Sequence, residues 1–312
     1  MTLPRPSTLS WSRLQARRRL LRTGFFGLFL LAPSLDLLRF DLVQGHLVLL
    51  GQQFTLGLGP FLQAAATSPV AAALGLTVRL ILPVLAVVVG VLWIARRWGR
   101  LYCGWLCPHF TVVEWLNGLM LKALGKPTLW EPSPAPVPRS IPWSLVTILV
   151  ALGLAMVWAV SLITYILPPA LIFSNLVHGT LTFPQGLFIG VATAVFWSDF
   201  LLARHLFCRF GCAVGMAQSL AWMSNPGALA ATLRTAACAG CAAPCVAACP
   251  MRLEPRGGKR RIATCTQCGL CLQSCEGVRG HQAGGAPLVW VRGKAVAERK
   301  TSRFIHGFSP AE

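Results

Sequence analysis

Charged residues are scarce in this chain, and acids above all. Only 12% of the 312 residues are Asp, Glu, Lys or Arg, 55% are apolar, and nine acids stand against 28 bases. So little charge with so much apolar surface excludes an ordinary water-soluble domain and predicts a membrane protein. A net charge of +19 would suit nucleic acid if the bases crowded one soluble domain, so their placement decides the matter. Two further features are missing. No small-residue cleavage site follows the first apolar run, which argues against a removable signal peptide. Between the apolar runs, His46 and His178 stand alone and read as solvated or interface residues, with no catalytic constellation around them.

What the sequence does have is long apolar runs. A helix needs about 20 residues to cross a bilayer, and four runs qualify, at about 23–38, 76–95, 143–167 and 184–203. The first is short and holds Pro33 and Asp36, and the second holds Arg79 and Pro83. Of the 28 Lys and Arg, 26 fall before the first run, between the second and third, or after the fourth; only Arg39 and Arg79 fall elsewhere. Cytoplasmic segments carry such an excess, so four spans with both ends in the cytoplasm are expected. Topology accounts for the basic charge, and nucleic acid is not expected as a partner; membrane lipid is. The Pro-rich stretch 127–140 reads as a linker.

All 12 cysteines lie on the side expected to be reducing, which favours metal ligation over disulfides. Eight fall in two runs, CAGCAAPCVAACP at 238–250 and CTQCGLCLQSC at 265–275. The second has the C-x2-C-x2-C-x3-C spacing, in which three thiolates hold one [4Fe-4S] cluster and the fourth ligates the other. The expected sets are Cys238, Cys241, Cys245 and Cys275 for one cluster, and Cys265, Cys268, Cys271 and Cys249 for the second. The first run carries one extra residue before Cys245, with Pro244 inside it, which bears on the local loop geometry. Zinc is the competing metal, because paired C-x2-C units also suit a tetrahedral site.

The other four cysteines form a repeated pattern. RLYCGWLCP follows the second run and RHLFCRFGC follows the fourth, so that Cys103, Cys107, Cys208 and Cys212 share one membrane face. Helical i, i+4 spacing would set each pair on one side of a helix, and the four thiols together suit a metal or redox centre, with His109, His205 or Met216 as additional ligands. The alternative is close packing of small residues. Glu114 and Asp199 are the only acids near this face and are the candidate catalytic groups, for the proton that accompanies quinol oxidation. Trp93, Trp98 and Trp105 read as interface anchors.

GRLYCGWLCP, its echo FCRFGC, the four spans and the paired cluster motifs together resemble the membrane polyferredoxin superfamily that includes NapH, the membrane part of NosR and the CcoG/FixG/RdxA accessory proteins of cytochrome oxidase assembly. The likeness covers residues 20–280. It departs at Ala213, where the family has Pro. Members move electrons between a membrane donor and cytoplasmic clusters: NapH-like proteins are associated with quinol oxidation, and CcoG-like proteins with reduction of Cu(II). The chain ends soon after the cluster motifs, as in NapH, without the fifth span and immunoglobulin-like domain of CcoG. Stretches 39–54 and 217–229 nonetheless resemble CcoG sequence.

The expected architecture is an α-helical integral membrane protein of the bacterial cytoplasmic membrane, multi-pass, with a cytoplasmic α+β two-cluster ferredoxin-like domain. It divides into a basic N-terminal segment (1–22), a four-span membrane domain (23–212), a linker (213–237), the cluster domain (238–280) and a tail (281–312). The expected function is iron–sulfur electron transfer from a membrane donor, a quinol, with redox proteins as partners. Two alternatives stand beside it: a Cu(II) reductase for oxidase assembly, with copper at the four membrane-face thiols where a third cluster would otherwise sit, and a non-catalytic cluster-bearing assembly subunit.

Overall fold

The computed structural model describes residues 8–42, 46–55, 69–130, 140–233, 238, 241–280 and 285–293. The chain is mostly helical. Three helices are long and apolar enough to cross a membrane: Ala73–Trp98, Ile141–Thr164 and Phe183–Ala203. They match the second to fourth expected runs to within a few residues. The first run behaves differently. Its helix, α1 (Thr8–Leu31), starts 15 residues earlier than expected and stops at Leu31. Pro33 removes a backbone donor just beyond, and Asp36 takes φ 51°, so the chain turns into a strand at Leu38.

Two compact units divide the chain, one of residues 24–88 and 111–204, the other of residues 1–23, 89–110 and 205–312. The first is the helical unit. Besides α2 (Pro69–Leu76) and α7 (Pro169–His178) it holds a central helix, α6 (Ile141–Thr164), which packs against α8 (Phe183–Ser198). Of its most apolar stretch 39% is buried, against 6% for Ala73–Trp98, so α6 organises the packing while the other faces outward. Ala151, Ala155 and Ala159 on α6 are fully buried; small residues at this spacing let helices approach closely. Trp158 fills the space left, with the rings of Phe29 at 4.8 Å, Phe196 at 5.3 Å and Phe26 at 6.4 Å.

At the end of α6 lies a three-stranded antiparallel meander, β1 (Leu38–Asp41), β2 (His46–Leu49) and β3 (Gln52–Thr55). Leu50 (φ 51°) and Gly51 (φ 75°) join β2 to β3 in the two-residue turn that suits strand twist. The β1 amide of Phe40 donates to Tyr165 O at 2.8 Å, and Tyr165 Oη donates to Phe29 O at 2.7 Å. Arg39, one of the two bases on the expected far side, is neutralised by Asp36 and Asp41 at 2.6 and 2.8 Å.

The second unit gathers sequence from across the chain. It contains the first half of α1, the end of α3 (Leu82–Trp98), the short α4 (Leu101–Trp105), the first residues of α5 (Pro108–Leu124), a π-helical turn Phe207–Gly211 and α9 (Ala213–Met223). It ends with α10 (Pro244–Ala247), α11 (Leu270–Arg279) and two antiparallel strands, β4 (Ala230–Leu233) and β5 (Leu288–Val291). The stretch expected as a linker is therefore α9 and β4, and the described part of the expected tail supplies β5. Trp11 from the N-terminal segment is buried and packs, tilted, against Trp290 with ring centroids 5.7 Å apart. Lys259 is buried where α9 ends, donating to Trp222 O at 2.8 Å and Asn225 O at 2.6 Å; a cation there offsets unsatisfied carbonyls.

Candidate metal centres

The cysteine runs fold around two cavities. One is lined by Cys249, Cys265, Cys268 and Cys271, the other by Cys238, Cys241, Cys245 and Cys275. Each run thus lends its last cysteine to the other's cavity, through α10 and α11, which pack together. The extra residue of the first run is absorbed locally: Ala243 takes a left-handed φ of 55° and Pro244 opens α10. In the second run Gln267 (φ 54°) and Gly269 (φ 78°) turn the backbone inward. The Gln267 amide reaches Cys265 Sγ at 3.4 Å, and the Leu253 amide reaches Cys249 Sγ at 3.5 Å. Amides aimed at sulfur stabilise a thiolate and orient it.

Burial pushes the thiols of the first cavity up, Cys249 to about 11 and Cys265 and Cys271 further, with neighbouring thiols adding to the shift. The second cavity is more cationic. Arg256 and Arg279 line it, and Cys241 is lowered by the Ala243 amide and then by Arg279. Binding of metal displaces the protons that burial would otherwise hold on such thiols.

The repeated motif explains itself in backbone terms. Cys107 N donates to Tyr102 O at 2.8 Å, and Cys212 N donates to Phe207 O at 2.9 Å. Both bonds close over five residues, each spanning a cysteine, Cys103 or Cys208. Each second cysteine then sits just before a helix: Pro108 opens α5 and Ala213 opens α9. Cys212 Sγ accepts from Gly215 N at 3.4 Å, and the Phe110 and His109 amides point at Cys107. The expectation of an i, i+4 pair on one helix face is therefore corrected. The chain breaks between the cysteines of each pair, because the wider bond ends one helix and the thiol caps the next. Ala213 serves where Pro108 does, since the first helical position needs no donor.

The four thiols are mutual neighbours. Burial raises Cys107 to about 12, with Cys103 and Cys212 adding to it, and raises Cys208 further, with Cys107, Cys103 and Cys212 adding. His109 Nδ1 lies 3.3 Å from Cys208 Sγ, and its ring packs at 5.1 Å on Phe207. His205 is buried, and Met216 is 44% exposed on α9. Glu114 is half-buried in α5, and Asp199 opens the π-helical turn Asp199–Ala203; both belong to the helical unit. Among the described residues, no three His, Cys, Asp or Glu side chains converge tightly enough to hold a metal ion. A single ion would draw each thiolate to about 2.3 Å of one point; the eight C-terminal thiols instead line two cavities.

The motif also docks onto the loop of the second run. A Cβ on Gly104 would land on Thr266 O, Trp105 Nε1 donates to Gln267 O at 3.2 Å, and Arg100 Nη1 donates to Thr264 O at 3.3 Å. From α1, Gln15 Nε2 donates to Cys268 O at 2.9 Å and Arg18 Nε to Gly104 O at 2.8 Å. Trp105 is thus a docking residue of the second unit. Gln15 and Arg18 carry no sequence signal beyond a polar helix face.

Residues 80–127 match the family model of a 4Fe-4S binding domain. The match supports an iron–sulfur protein. It covers Arg100, Cys103, Cys107 and Pro108, not the eight C-terminal cysteines. No curated protein and no solved structure matches the chain.

Proposed function

We propose that this protein is a membrane-anchored iron–sulfur electron carrier that links a donor in the membrane, a quinol, to redox partners on the Lys- and Arg-rich face. The observation that carries this reading is the 4Fe-4S match on the Cys103–Cys107 motif, whose backbone abuts the Thr266 loop between Cys265 and Cys268. Cys249, Cys265, Cys268 and Cys271 would hold one [4Fe-4S] cluster and Cys238, Cys241, Cys245 and Cys275 another. Cys103, Cys107, Cys208 and Cys212 would hold a third group beside them. Clusters bound there supply one-electron transfer at potentials set by hydrogen bonds and burial. The protein's part is to hold the thiolates, aim amides at them and exclude water. Quinol oxidation also releases protons, and Glu114 and Asp199 are the acids offered for them.

Four crossings are part of the reading. Residues 8–23, the segment after Trp98 and the segment after Ala203 all belong to one unit. With those segments on one side of the membrane, a fourth passage would fall between residues 23 and 73. The end of α1 supports it, since Phe29 meets Tyr165 at the far end of α6. The charge distribution supports the cytoplasmic membrane with both ends inside.

The test is iron, acid-labile sulfide and copper per chain in anaerobically purified protein, compared with a variant carrying Ser at Cys103, Cys107, Cys208 and Cys212. About twelve irons falling to about eight is the expected result for [4Fe-4S] clusters at three sites. Zinc without iron sinks the proposal, and copper lost only in the variant replaces it with a metal reductase.

A further inference from the structure

Arg100 is 1% exposed, and among the described residues none of its partners is a carboxylate. Nη2 donates to Cys208 O at 2.8 Å and lies 3.6 Å from Cys103 Sγ, while Nη1 donates to Thr264 O. Among the described residues its Nε has no hydrogen-bond partner. Gly215 makes the room, because a Cβ there would land on the guanidinium. An Arg stays protonated even when buried, and an uncompensated buried charge is costly. A fold that seals a cation among thiols therefore calls for negative charge on those thiols.

Gln218 points the same way. It is 2% exposed, its Oε1 stands 3.9 Å from Cys103 Sγ, and among the described residues its Nε2 has no hydrogen-bond partner. Beside a thiol the amide accepts from S–H and its NH2 is left over. Beside a thiolate a half-turn of the amide presents N–H to sulfur, and the orphaned donor is satisfied.

We infer that Arg100 is the counter-ion of the Cys103, Cys107, Cys208 and Cys212 site: it holds a net-negative group on those four thiolates and sets how readily that group takes up an electron. The inference rests on the proposed third group. Four thiolates outweigh the charge of a [4Fe-4S] core, so the bound group is an anion, and each electron added makes it more negative. A fixed cation at Cys103 favours the reduced form and raises the potential. Because Nη1 reaches Thr264 O, next to Cys265, the same charge acts more weakly on the neighbouring cavity. Arg100 is thus a positioning and tuning residue shared by two sites.

The experiment is a redox titration with dithionite, followed by low-temperature EPR, on purified wild-type protein and the Arg100→Gln, Arg100→Lys and Gly215→Ala variants, with iron per chain measured on each. The signal of interest is the one missing from the protein with Ser at all four cysteines. In Arg100→Gln it should titrate at a lower potential, with a smaller shift in one other signal. Arg100→Lys should return it toward wild type, and Gly215→Ala, which displaces the guanidinium but keeps its charge, should lower it partway. Iron lost in Arg100→Gln and retained in Arg100→Lys also supports a charge role. An unchanged midpoint with iron retained overturns the inference, as does equal iron loss in the Gln and Lys variants. Equal iron in wild-type and four-Ser protein overturns the proposed third group, and the inference with it.

Discussion

Gly104 is a residue whose identity is set by space. Any side chain there would strike the Thr266 carbonyl, so Gly104→Ala must push apart the cysteine motif and the loop that carries Cys265 and Cys268. Overpacking of this kind costs about 1–3 kcal/mol. The Trp105→Phe change removes the hydrogen bond to Gln267 O, worth about 0.5–1.5 kcal/mol, and trims a partly buried ring without forcing anything apart. The alanine variant should therefore melt lower than the phenylalanine variant in detergent, and it should lose iron. If the two melt alike with full iron, the docking contact is not what holds these segments together. Lys259 offers a second test. Lys259→Met would leave Trp222 O and Asn225 O without their charged donor, a loss of about 1.5–3 kcal/mol that thermal unfolding of the purified protein would register.

Among the elements, the two cysteine motifs show what a repeat can and cannot reveal. Their spacing pointed to one shared device, and the device is shared, but it is a bond closing over five residues followed by a thiol at a helix start. Helical periodicity alone cannot distinguish that from an i, i+4 pair. The two four-cysteine cavities were legible because ligand spacing is local and strict. β4 and β5 were not, since four-residue strands are too short to show alternation. Gln15 was not legible either: its partner Cys268 is 253 residues away, and on a helix rich in Arg it looks like solvated surface. The first apolar run was misjudged at its end because hydropathy weighed Pro33 and Asp36 too lightly against the leucines around them, and at its start because the helix begins in an Arg-rich segment that hydropathy passes over. The backbone reading makes its own forecast. Ala213 occupies the position that Pro108 holds in the other motif, so Ala213→Pro should be tolerated with full iron content. Where backbone geometry is already compatible, such a change stabilises by about 0.4–1 kcal/mol. A fall in melting temperature with loss of iron would show that the two helix starts differ.

At the scale of the whole molecule, the N-terminal segment changes from a topological signal into a structural part. Its bases are among the 26 of 28 Lys and Arg expected on one side, yet Arg18 and Arg22 are buried, at 1% and 3% exposure. Arg18 holds the Gly104 carbonyl between Cys103 and Cys107, and Gln15 holds the carbonyl of Cys268. One helix thus braces two thiol sites and then continues with Phe26 and Phe29 into the aromatic packing around Trp158. A segment serving only as a positive-inside signal could be replaced by any basic sequence of equal length. A bracing segment could not. Replacing residues 8–22 with an unrelated sequence that keeps its five arginines should preserve membrane insertion and orientation, read by a reporter fused within the loop at Gly125. The same protein should lose iron, because the carbonyls of Gly104 and Cys268 lose their donors and Trp290 loses the ring of Trp11. Full iron in that replacement would return the segment to the role that its charge alone suggests.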